Sequence, residues 1–161
     1  MSEARHNEHF MNIEKWFGIS GDQSGNDWAL EAGLTPFQAI SGNGDFGGDA
    51  NDEAKVIGTD DTPVVAGKQF YMLHKLLVLA SSVATAYVLR IVYGTDTMAN
   101  NESAGRYSDV AFIRESGVGR GAPIELKMPL LKAGTDKVWI RAKNATDNAT
   151  IDFLIGLHEH D

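Results

Sequence analysis

Three successive stretches near the end of the chain switch polarity with every residue, and a period of two is the signature of a half-buried β-strand. In IELKMPLL, Ile124, Leu126, Met128 and Leu130 point one way while Glu125, Lys127 and Pro129 point the other. In KVWIRAK, Val138, Ile140 and Ala142 alternate with Lys137, Trp139, Arg141 and Lys143. In TIDFLIGLH, Ile151, Phe153, Ile155 and Leu157 alternate with Asp152, Leu154, Gly156 and His158. Turn residues separate the runs, Lys132 to Thr135 after the first and Asn144 to Asn148 after the second. Pro129 has no N–H for a ladder, so the first run is an edge strand or carries a bulge. Three such strands in succession form a meander or part of a Greek key.

Upstream, Gln69 to Leu79 and Thr85 to Tyr93 are more apolar and less regular. They read as strands because the second is dominated by β-formers, and because Ser81-Ser82 and Gly94 stop the runs. Tyr107 to Arg114 is another strand, and Phe37 to Ile40 and Ala54 to Ile57 are weaker candidates. About eight strands result, which predicts an all-β protein, a single jelly-roll-like β-sandwich. Its body is expected at residues 62–161, preceded by an extended N-terminal arm at 1–61 carrying short helical turns.

That division follows composition. The net charge of −8 is concentrated in residues 1–61, where twelve acids face three bases. Such a segment repels a phosphate backbone, so nucleic acid is not an expected partner. His9 to Phe17 is expected as a short helix with Phe10, Ile13 and Phe17 on one side and Trp16 beside them. Asp27 to Ala32 can form one further turn, with Asn26 or Asp27 as cap, Gly33 as stop and Pro36 as a bar to continuation. Phe10, Trp16, Phe17 and Trp28 cannot remain in water together, so these anchors must dock somewhere.

Other features narrow the function. There is no cysteine, hence no disulfide framework, thiolate zinc site or thiol nucleophile. The start holds acids and histidines where a signal peptide has an apolar run. Leu76 to Leu89 is too short to span a bilayer before Arg90 interrupts it, so no membrane is expected. Three glycosylation sequons begin at Asn101, Asn144 and Asn148, and they carry meaning only in a secretory pathway.

Residues 42–53, GNGDFGGDANDE, contain the G-x-G-x-x-G spacing of a phosphate loop. No amphipathic helix follows Gly47, and Asp45, Asp49, Asp52 and Glu53 would repel phosphates. Oxygen ligands for calcium are plentiful, but the register of a calcium loop is missing. The reading is a solvated hinge from which the arm leaves the sandwich. His158 and His160 share a strand face but read as a solvated tail without a third metal ligand. Ser116 lacks the elbow of a serine nucleophile. The expectation is therefore a protein without enzymatic activity, cofactor or metal.

Trp139 lies among Lys137, Arg141 and Lys143 on the side predicted to face solvent, a composition common at binding hot spots. Either a partner covers it or another part of the chain does. The closing stretch from Ile124 to His160, with its apolar strand, Ala-Gly-Thr turn, Arg-bearing strand, polar turn and final alternating strand, resembles the last strands of small jelly-roll proteins on tailed-phage virions. That resemblance is to capsid decoration, or cement, proteins. It implies a protein made in the host cytoplasm that oligomerises on the outer capsid surface and bridges major capsid subunits. The edges of an eight-strand sandwich, of which Pro129 protects only one, predict a symmetric homo-oligomer, a homotrimer first and a dimer second. Phe10, Ile13, Trp16, Phe17, Trp28, Trp139 and Arg141 are the expected partner contacts. Two alternatives remain: a carbohydrate- or receptor-binding jelly roll with Trp139 and Tyr107 as stacking platforms, and a metal-dependent β-barrel enzyme using His158 and His160.

Overall fold

A computed structural model describes residues 15–18, 35–58, 69–113 and 123–160. Among the described residues, ten strands and one short helix make up an all-β sandwich: β1 (Lys15–Phe17), β2 (Phe37–Ile40), β3 (Ala54–Ile57), β4 (Phe70–Ser81), β5 (Tyr87–Gly94), α1 (Met98–Ser103), β6 (Tyr107–Phe112), β7 (Ile124–Glu125), β8 (Leu131–Lys132), β9 (Lys137–Lys143) and β10 (Thr150–His160). One sheet places β10 between β4 and, in tandem along its other edge, β1 and β2; β7 and β8 both pair with the far side of β4. The second sheet runs β3-β9-β5-β6. These strand pairings among the described residues are antiparallel. Setting β1 aside and counting β7 and β8 as one interrupted strand leaves eight. Their order is first-eighth-third-sixth in one sheet and second-seventh-fourth-fifth in the other, the arrangement of a jelly roll.

The core lies between the sheets. Tyr71, Leu73, Leu76, Ile151, Phe153, Ile155 and Leu157 enter from the first, and Tyr87, Leu89, Ile91, Val138, Ile140 and Ala142 from the second. These are the inward sets that alternation assigned to β9 and β10. Two buried tyrosines add polar ties at the sandwich ends: the Tyr71 hydroxyl donates to the Asp136 carbonyl at 2.9 Å, and the Tyr87 hydroxyl to the Thr150 carbonyl at 2.9 Å. Burial, reinforced by the nearby Asp136 carboxylate, pushes the Tyr71 phenol well above its usual range.

Two irregularities in the pattern have structural causes. Along β4 the buried positions change from Tyr71 and Leu73 to Leu76 and Val78. The pairing with β10 skips His74 and Leu79, so each is an extra residue at a bulge, and the bulge at His74 reverses the parity of the strand. Around Pro129 the same slip occurs. Leu126 and Met128 are buried, Leu130 is 52% exposed and Leu131 takes its place in the core, with β7 and β8 on either side of the interruption.

The first third departs from expectation. Lys15–Phe17 is a strand paired with Leu157, Gly156 and Ile155, not the end of a helix. Phe37 and Ala39 of β2 and Ala54, Val56 and Ile57 of β3 belong to the core, so residues 35–58 are built into the sandwich and the boundary at 61 does not separate them from it. Nor is the 42–53 loop a hinge. Ser41 bridges to Phe46, Phe46 to Lys143 and Asn43 to Asn144, while the Ser41 hydroxyl donates to the Thr146 carbonyl and accepts from the Ala149 N–H. The cause is nonlocal, since the turn after β9 supplies these partners. Phe10, Ile13, Trp28 and the helical turn at 27–32 lie outside the described residues. Among the described residues no helix is long and apolar enough to cross a membrane.

Candidate functional site

The densest polar constellation among the described residues sits on the outer face of the β3-β9-β5-β6 sheet. Alternation on β5 turns Leu89 and Ile91 inward and therefore Arg90 and Val92 outward, beside Arg141 and Trp139 of β9. The chain then crosses this face as α1. Thr97 caps the helix by accepting from the Asn100 N–H at 3.2 Å. The Asp96 carboxylate accepts from the Thr97 N–H at 2.7 Å and from the Asn100 side chain at 3.1 Å, and these bonds, the backbone one foremost, hold its pKa below the usual carboxylate value. Gly94, at φ 143°, has no side chain where Asn101 enters, and a Cβ there would collide with the Asn101 amide. Asn101, fully buried, donates to the Asp96 carbonyl at 3.0 Å and accepts from Arg106 at 2.9 Å.

This route delivers Glu102 to the arginines. Arg90 donates through Nε and Nη2 to both oxygens of Asp109 on β6, at 2.8 and 2.9 Å, and through Nη1 to Glu102 at 3.2 Å. Arg141 Nη1 reaches the two Glu102 oxygens at 2.9 and 2.8 Å, and Nη2 donates to the Gly47 carbonyl at 2.9 Å. The flat faces of Arg90 are also occupied, with the Tyr107 ring centroid 3.9 Å and the Phe46 centroid 4.5 Å from its central carbon. Phe46 additionally lies 5.2 Å from Arg141 and 5.8 Å from the Lys143 ammonium. The Asp109 hydrogen bonds push the Arg90 pKa upward against the opposing effect of burial. Two carboxylates thus neutralise two guanidiniums, and the network fastens β5, β6, β9, α1 and the 42–47 turn together. A cleft of about 380 Å³ opens beside it, lined by Arg90, Met98, Glu102, Ser103, Tyr107 and Arg141.

Of the expected contact residues, Arg141 is in this network and Trp139 stands one step along the same face, between Lys55 of β3 and Val92 of β5. Trp139 is only 7% exposed, so the solvent position that alternation assigned to it is covered by the chain itself. It is no stacking platform for a glycan, and Tyr107 has one ring face against Arg90. Trp16 belongs to the opposite side of the molecule, where its ring lies over Gly156 on the outer face of β10. Phe17 pairs with Ile155 through the backbone. His158 and His160 are not a loose tail either. Both belong to β10, and the His158 ring stacks on His74 with centroids 4.3 Å apart. Among the described residues no three His, Cys, Asp or Glu side chains gather as metal ligands. Asn101 and Asn144 are buried, which removes two of the three sequons as acceptors.

Sequence reasoning missed Arg90, Phe46, Glu102 and Asp109. One signal was present: a lone arginine inside the apolar run of β5 requires a partner if it is half buried. Neither protein-family models, nor curated proteins, nor solved structures yielded a match to this chain.

Proposed function

We propose that the protein is a non-enzymatic virion structural protein, a capsid decoration protein that self-associates on the outer surface of a shell and bridges neighbouring major capsid subunits. The observation that carries this reading is the jelly-roll strand order, found with the closing strands whose pattern resembles those of small virion jelly rolls. The outer-face network supports it, because its guanidinium groups are engaged by the protein's own carboxylates and act as fasteners between elements. The buried Trp139 weighs against the glycan-binding alternative.

Gradient fractionation of particles from the source culture tests it, with the chain followed by antibody and by quantitative mass spectrometry. The expected outcome is co-migration with intact shells at a fixed ratio to the major capsid protein. Retention at the top of the gradient overturns the proposal.

A further inference from the structure

We infer that β6 is a self-pairing edge through which two copies of this chain join their β3-β9-β5-β6 sheets into one continuous antiparallel sheet. The inference names a surface for the self-association in the preceding reading and rests on that part alone, not on capsid binding.

β6 pairs with β5 on one side only among the described residues. The Tyr93 N–H donates to the Arg106 carbonyl at 3.1 Å, and this fixes the phase of the ladder. Counting down in twos, Ser108, Val110 and Phe112 direct their main-chain groups to β5, whereas Tyr107, Asp109 and Ala111 direct theirs to the free edge. Those three residues are exposed, as is Ile113, which follows the strand at 69% exposure. Edge strands are commonly guarded by charge. Here the guard is Asp109, and the bidentate bond from Arg90 neutralises it.

The edge is also complementary to itself. With a two-fold axis at Val110, Asp109 faces Ala111 of the second copy and Tyr107 faces Ile113, each pair occurring twice. In this register the facing pairs are those whose main-chain groups point outward, so each exchanges two hydrogen bonds. Tyr opposite Ile is an aromatic and β-branched pair, a favourable cross-strand combination. The two-fold closes on two copies, so the product is a dimer and not the trimer expected from the uncovered edges in the sequence.

The chain has no cysteine, which makes a cross-linking test clean. At a non-hydrogen-bonded antiparallel pair the Cα atoms stand about 4.5 Å apart, so the full chain carrying Val110→Cys should oxidise to a covalent dimer. Ile113→Cys should not, because six residues of strand displace the two copies by about 20 Å. Light scattering of the unmodified chain at about 100 µM should give a dimer mass, since a contact of this small size is expected to be weak. Ala111→Asp puts on the edge a carboxylate that, unlike Asp109, has no arginine opposite it on β5, charge of the kind that guards edge strands, and should weaken the dimer at least about tenfold, with circular dichroism unchanged. Ala111→Pro removes an outward N–H and should do the same. A monomer at that concentration overturns the inference. So does a dimer that survives both Ala111 variants, or one that cross-links equally well from position 113. Because this is read in solution without particles, failure here and failure of the capsid reading are separate results.

Discussion

The two sheets close their outer faces by different physics. On the first, the face of β10 that alternation leaves outward is covered by the chain's own N-terminal segment: Trp16 lies over Gly156, and Leu154, 1% exposed, sits beneath Gly18. Five consecutive residues from Phe153 to Leu157 are consequently buried. On the second, the face of β9 and β5 is fastened by ions, with Glu102 shared between Arg90 and Arg141 and Phe46 and Tyr107 stacked on the guanidinium planes. The first closure is apolar and insensitive to salt. The second depends on charge-assisted bonds at residues about one-fifth exposed, so salt screens it in part. A jelly roll can thus seal equivalent surfaces with either material, and the choice dictates what will disrupt each.

The strongest way to break the contrast is to remove its apolar half. Deleting residues 1–50 takes away β1 and β2, including the fully buried Phe37 and Ala39. Cooperative unfolding should disappear, and near-ultraviolet circular dichroism should collapse. A folded truncation product would restore the picture of a separable arm. Next in size, Phe153→Ala removes a core side chain that packs on Phe37 with ring centroids 5.9 Å apart, and should cost about 3–5 kcal/mol in urea unfolding.

The faces themselves separate at the next level. Arg90→Ala strands Asp109 and unstacks Phe46 and Tyr107, an expected loss of about 2 kcal/mol that shrinks when wild type and variant are compared in high salt. Trp16→Ala uncovers Gly156 and should cost about 1–2 kcal/mol, with no such shrinkage, since only apolar area is lost. Equal salt responses would erase the distinction between the faces. The smallest effect is local. The Asp96 pKa is lower in the folded chain than in the unfolded one, so its contribution is present above the unfolded value and is lost as pH falls through the folded value. Protection factors of the α1 amides, taken relative to the intrinsic exchange rate at each pH, should therefore fall at acid pH in wild type and already be low at neutral pH in Asp96→Ala.

Alternation along β9 and β10 determined which side chains enter the core, because side-chain direction in a strand is a local property that changes with every residue. Turn chemistry likewise placed the bends at Gly134, at φ 85°, and at Asn148, at φ 54°. Where a strand carries an extra residue, as β4 does at His74, local periodicity breaks, and only the pairing with β10 reveals why. What covers an outer face is decided by residues far away in the chain. Arg141 finds the Gly47 carbonyl across 94 positions, and Trp16 reaches Gly156 only because β1 adds to the edge of β10. Nothing near Trp139 or Arg90 in sequence names those partners. Their burial is the outcome of tertiary contacts, which hydrogen bonding and close packing select among segments that no local pattern connects.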